Sequence, residues 1–186
     1  MSIQTKEAIV ETFLALARQK NIDKITVKEL ADCCGISRQS FYYHFQDILA
    51  VIEWLLQRAQ QDISARCRAA SSPDEAVRIM VGLFIEHYPL YKKLRDSQKR
   101  DFVERLALDS MQSHFRLAVS ELGSDHRVTL SVAEAQALIR FYSFGLAGLM
   151  FHHCASGNPN ADELTRQILI ILQRTPLQPP PPQSNC

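Results

Sequence analysis

Between Ser37 and Phe45 the chain reads Ser-Arg-Gln-Ser-Phe-Tyr-Tyr-His-Phe. Arg38 can bond guanine O6 and N7 together, and Gln39 can do the same for adenine N6 and N7, so these two side chains suit reading base edges. Ser37 and Ser40 flank them with hydroxyls. Tyr42, Tyr43 and His44 follow one turn later and suit phosphate contacts, which fix register rather than sequence. Tyr42 has a second possible use, covering the edge of a core. Thr26, at the start of the preceding segment, can offer its hydroxyl or backbone N–H to a phosphate.

Other groupings carry less chemistry. His152, His153 and Cys154 are consecutive, and consecutive helical side chains point about 100° apart, a poor arrangement for sharing one ion. Cys33 and Cys34 face the same difficulty, and Cys34 reads as a small buried hydrophobe. No GxSxG, P-loop, HExxH or convincing carboxylate pair occurs. The expectation is a non-enzyme with no catalytic residue, metal or cofactor.

The elements that must position these residues are helical. Apolar residues recur at helical spacing and almost nowhere alternate, which predicts an all-α chain. A first helix is expected from about Thr5 to Gln19, with Ile9, Phe13, Leu16 and Ala17 on its buried face. Thr26 and Glu29 have the spacing of a capping box, and Gly35 is placed to end that second helix. Ser37 is a good N-cap for a third helix carrying Phe41 and Phe45 inward. Two short helices joined by a tight glycine turn make a helix-turn-helix, whose second helix enters the major groove.

Asp47 can cap a fourth helix reaching about Ala69. Ser72-Pro73-Asp74-Glu75 opens another helix, which Pro89 is expected to end or kink. A long helix from about Gln98 to Leu122 follows. Ser131 with Glu134, and Asn160 with Glu163, open the last two, the second running to about Gln173. The organisation expected is a head at 1–47, a connecting helix at 48–69, a body at 70–174, and a disordered proline-rich tail at 175–186.

The segment resembles the DNA-binding head of the TetR family of regulators. The matching residues are Thr26-Val27-x-x-Leu30-Ala31, Gly35-Ile36-Ser37, and Phe41-Tyr42-Tyr43-His44-Phe45 followed by Asp47. Within that family, Ile22 to Val27, Arg38-Gln39 with Phe41 to Phe45, and the later Phe141-Tyr142-x-x-Gly145-Leu146 are most similar to regulators of dihydroxyacetone-kinase operons. The resemblance implies a three-helix head, a connecting helix, and a helical-bundle body that binds a small effector and forms a homodimer through its last two long helices. It further implies a repressor that binds a double-stranded operator and is released by its effector. In the dihydroxyacetone-type group the body can bind a protein partner instead.

A pocket in such a body lies between helices, with a few polar tips on an apolar wall. His87, Tyr88, His114 and Tyr142 are the candidate tips. Gly145 and Gly148, with Ala147, would let two helices approach closely.

Charge sharpens the picture. The chain carries a net charge of +1, and its first sixty residues hold seven bases against seven acids. Relatives often have lysine on both sides of the aspartate that follows the aromatic run, whereas this chain has Gln46 and Ile48. Such a head lacks a strong positive field. It must hold DNA through polar and backbone contacts, through two heads on one dimer, or with a partner. Hydrophobic content of 46% with 22% charged residues fits a folded globular chain. Five cysteines without a CxxC pair, and no signal peptide, suggest a reduced cytoplasmic chain with no membrane span.

Overall fold

A computed structural model describes residues 2–124 and 131–173, without the side chains at positions 2, 114, 115 and 117–124. The expected disordered tail at 175–186 lies outside the described residues. So does the side chain of His114.

The described residues form helices and no strand. α1 spans Ser2–Gln19 and is followed by a single 3-10 turn, Ile22–Lys24. α2 is Val27–Cys34, α3 Arg38–His44, α4 Ile48–Arg68 and α5 Pro73–Arg95. α6 is Arg100–Ser124, α7 Val132–Ala155 and α8 Ala161–Gln173. None is long and apolar enough to cross a membrane. Two compact units result. One gathers residues up to Asp62 with Glu86–Ala107, the other Ile63–Ile85 with the described residues from Leu108 onward.

Short-range chemistry sets most helix ends. Thr26 Oγ1 accepts from Glu29 N–H at 3.2 Å, Ser72 Oγ from Glu75 N–H at 3.2 Å, and Asn160 Oδ1 from Glu163 N–H at 3.1 Å. Ser131 and Glu134 form a full reciprocal box. The box expected at Thr26 is only half made, because the Glu29 carboxylate turns instead to Lys20 Nζ. Pro89 does not end its helix: α5 runs through it to Arg95. A proline ring removes one ladder bond. The freed carbonyl is that of Ile85, one turn earlier, and buried Tyr88 and Leu94 on either side of Pro89 hold the helix down.

The core of the first unit is built around Ile9, Phe13 and Ala17 of α1, each with no exposed surface, which α2 and α3 cover with Leu30 and Phe41. Leu94 of α5 and Val103 of α6 join the same cluster, also fully buried. Polar contacts fasten this junction. Lys93 Nζ donates to the carbonyls of Ala17 at 2.7 Å and Arg18 at 3.0 Å, satisfying groups that the end of α1 leaves open. The Asp23 carboxylate accepts from Gln98 N–H at 3.1 Å and pairs with Lys99 Nζ at 2.9 Å. The short turn between α1 and α2 is thereby bolted to the start of α6. In the second unit, Leu146 and Met150 of α7 and Leu164 and Ile168 of α8 close on Val81 of α5.

The hydrogen bond from Lys99 holds the Asp23 carboxyl below its usual range, aided by Gln98 N–H and opposed by partial burial. A depressed native value stabilises the fold above the unfolded carboxyl's pKa, about 3.9, and that contribution is lost as pH falls through the native value. Asp23→Ala should therefore lower stability at pH 7 by roughly 1–2 kcal/mol. The gap between wild type and variant should close on acidification below about pH 4, as thermal melts at pH 7 and pH 3 would show.

Candidate nucleic-acid interface

The turn between α2 and α3 begins at Gly35, which adopts φ 68°, ψ 29°. A Cβ there would meet nothing within 4 Å, so conformation rather than space calls for glycine. Ile36 N–H closes back on Ala31 O at 3.0 Å, the bond that ends a helix through a left-handed residue. Ser37 then leaves the turn with extended angles, and its Oγ accepts from Ser40 N–H at 3.0 Å. This cap starts α3 with Arg38 and Gln39 on its first turn.

α3 has two faces. Phe41 is fully buried and Phe45 is 4% exposed, with ring centroids 6.2 Å apart. Phe45 also meets Trp54 of α4 edge-on at 6.3 Å. The other face carries the predicted DNA residues. Arg38 and Gln39 are exposed, and Arg38 takes part in no ion pair among the described residues. Tyr42 is 57% and Tyr43 83% exposed. Tyr42 does rest its ring edge-on against Phe41, at 5.7 Å, yet most of it stays in solvent. His44 is half-buried, with its ring edge-on to Tyr43 at 5.1 Å. Ser40 is half-buried too. Thr26 is exposed at the start of α2, so its hydroxyl hydrogen is free to be donated outward. Of the predicted residues, Thr26, Ser37, Arg38, Gln39, Tyr42 and Tyr43 are exposed, and Ser40 and His44 are half-buried.

Several acids of the first sixty residues are engaged, whereas exposed Glu11 and Asp32 carry no ion pair among the described residues. Glu29 is held by Lys20, Glu7 by Arg58 and Asp23 by Lys99. Asp47 caps α4 through Ala50 N–H at 2.8 Å. Exposed Lys24, Lys28 and Arg38 carry no ion pair among the described residues. A count of charges along the chain misses this sorting, because the partner of Asp23 lies 76 residues away.

The four candidate pocket tips fall in different parts of the chain, and the side chain of His114 lies outside the described residues. His87 is exposed and Tyr88 is 8% exposed, both in the first unit. Tyr142, also 8% exposed, belongs to the second. Tyr91, near Tyr88 on α5, is a polar tip that the sequence pattern does not single out. Burial, with help from the Glu104 charge, pushes its phenol up to about 12. His153 braces the α7–α8 turn, where Asn160 N–H donates to its Nε2 at 2.9 Å. Cys34 is half-buried, and Cys33 is exposed.

Among the described residues, a Cβ at Gly145 or Gly148 would meet nothing within 4 Å, so no neighbouring helix presses on them there. Ala147 is buried on a different side of α7. The glycines lie beside Phe141, 70% exposed, and Phe144, 57% exposed.

Residues 9–53 match the model of the family described as bacterial regulatory proteins, tetR family. An uncharacterised HTH-type transcriptional regulator of Bacillus subtilis (strain 168), YerO, is 22% identical over 151 residues, covering 74% of this chain and 50% of YerO. The chain thus spans about half the length of this curated relative. Among solved structures, the dihydroxyacetone kinase operon activator DhaS superposes with a TM-score of 0.70 at 18% identity, covering 92% of this chain and 95% of DhaS. A putative TetR-family regulator from Syntrophomonas wolfei str. Goettingen gives a TM-score of 0.73 at 10% identity, covering 93% of this chain and 95% of that one. At these identities the structural likeness establishes a shared fold.

The two roles within α3 separate by their cost. Ser37→Ala should lose about 1 kcal/mol, the usual value of an N-cap. Phe41→Ala should lose roughly 3–5 kcal/mol by leaving a cavity under the recognition helix. Circular-dichroism melts would check both; equal losses would mean that α3 is not seated by Phe41.

Proposed function

We propose, from the premise that this chain belongs to the TetR family, that it is a homodimeric, effector-responsive repressor that reads an operator in double-stranded DNA. The observation that carries the reading is the exposed face of α3. Two large aromatic rings and an unpaired arginine stand in solvent on a helix whose other face is locked into the core. The solvated parts of these rings add little to folding, whereas they and Arg38 suit phosphate and base edges. Arg38 and Gln39 read bases. Ser37 and Ser40 stand with them on the N-terminal turn, and Thr26, Tyr42, Tyr43 and His44 position the head on the backbone.

The dimer reading is supported by α7. One side of this helix is buried by its own chain through Ile139, Tyr142 and Leu146, and the other exposes Phe141 and Phe144. A helix that is apolar all round needs cover on both sides. A second copy gives that cover and sets two recognition helices about 34 Å apart, one turn of DNA. An effector with unequal affinity for two body conformations would alter that spacing and release the operator. His87, Tyr88, His114 and Tyr142 remain the proposed effector contacts.

The balance of acids and bases in the first sixty residues favours a second reading, a co-regulator whose body binds a protein and whose head reads DNA with help. A duplex bound only when a host protein is added would favour it.

Fluorescence anisotropy with the DNA flanking the gene tests the first reading. Arg38→Ala should bring operator and scrambled affinities together by about 1–3 kcal/mol, while His44→Ala should weaken both alike. No preference for any flanking sequence at any salt concentration would overturn direct reading. Transcription of the flanking genes should rise when the chain is removed, and a fall would reverse the sign. Light scattering should give twice the 21.1 kDa chain mass for the wild type, and the single mass for Phe141→Glu combined with Phe144→Glu.

A further inference from the structure

A cation is missing from the sequence at the far end of the recognition helix. Gln46 and Ile48 flank Asp47, so no basic residue closely follows Tyr43 and His44. The fold brings one there from a different helix. Lys6, near the start of α1, holds its ammonium 5.4 Å from the centroid of the Phe45 ring. Phe45 is the C-terminal cap of α3 and directly follows His44.

The same aromatic cluster carries a second cation, which makes a useful contrast. The Arg58 guanidinium lies 6.0 Å over Trp54, the ring that meets Phe45 edge-on. Arg58 is also bound to Glu7, at 3.3 Å. Lys6 takes part in no ion pair among the described residues and is half-buried, its position set by the ring beneath it. An ammonium seated on a ring face keeps its outer donors for another acceptor. Asp47, two residues after Phe45, is engaged with Ala50 N–H. An anion approaching Tyr43 and His44 would meet the Asp47 carboxylate with no compensating charge, unless Lys6 supplies it.

We infer that Lys6 contacts a DNA phosphate beside the C-terminal end of α3, supplying from α1 the charge that Gln46 and Ile48 do not. This rests on the DNA-reading function proposed above. Lys6 reads no base. It adds affinity on every sequence and fixes the head against the backbone.

The test is the salt dependence of binding by the full chain to a mixed-sequence duplex of about 30 base pairs. Each phosphate neutralised contributes about 0.9 to the slope of log affinity against log salt. A dimer with Lys6→Met on both heads should lose about 2 from that slope. Lys6→Arg should keep the wild-type slope, as should Lys92→Met, which removes an exposed lysine from α5. Should Lys6→Met fail to fold, Lys6→Gln removes the charge with less apolar surface. A Lys6 that only braces Phe45 would lower the melting temperature of the neutral variants and leave the slope at its wild-type value, which overturns the inference. Wild-type chain without any salt-dependent duplex binding would overturn the DNA-reading function itself, and the inference with it.

Discussion

The seating of Phe41 is the constraint on which the rest of the head depends. α3 has seven residues. A helix that short does not persist in water, because nucleation costs more than two turns of hydrogen bonds return. It exists because Phe41 is sunk among α1 and α2, and because Ser37 and Gly35 settle its first backbone groups. The same seating aims its exposed side. With Phe41 and Phe45 inward, helical geometry leaves Arg38, Gln39, Tyr42 and Tyr43 outward. Packing energy and recognition are therefore two faces of one short helix, and a change under it re-aims whatever stands above.

That seat is completed from a distance. Leu94 and Val103 enter the head core from α5 and α6, while Lys93, Gln98 and Lys99 tie down the end of α1 and the turn after it. The salt bridge at Asp23 does more than a surface pair usually does, because the carboxylate also accepts a backbone N–H at the start of a helix. Three of the head's acids are spent in this way on internal pairs. Two of these pairs also use a base of the head, so only Lys99, which comes from beyond residue 60, shifts the balance toward the unpaired Lys24, Lys28 and Arg38.

What is legible in the sequence is what local chemistry decides. The caps at Thr26, Ser37, Ser131 and Asn160 depend on side chains reaching three residues ahead, and Gly35 on its own backbone angles. Inward Phe41 and Phe45 against outward Tyr42 and Tyr43 follow from spacing within one helix. The departures share a different cause. Propensity alone allows Pro89 to stop α5, but the helix runs on to Arg95, with Tyr88 and Leu94 buried on either side. Spacing alone returns Glu29 to Thr26, but Lys20, at the end of another helix, offers a charge. The attachment of Asp23 to Lys99 spans 76 residues and leaves no periodic trace. Lys6 reads in the sequence as an ordinary solvated base, because the ring beneath it belongs to a helix far along the chain.

The second half of the molecule poses the opposite problem, a surface that local preference disfavours. Gly145 and Gly148 lie inside α7, where each costs about 1 kcal/mol relative to alanine. Neither has a positive φ to justify it, and neither is approached within 4 Å of its missing Cβ by anything among the described residues. Phe141 and Phe144 beside them leave large apolar surfaces in water. A monomer gains nothing from this combination. Both costs are offset if another helix lies across the glycines, since their missing side chains admit a close backbone and the flanking rings lose their contact with water. A second copy of α7 brings the same glycines and the same rings to the contact, which a two-fold interface requires. The proposed dimer would cover both features of α7, the glycines and the exposed rings.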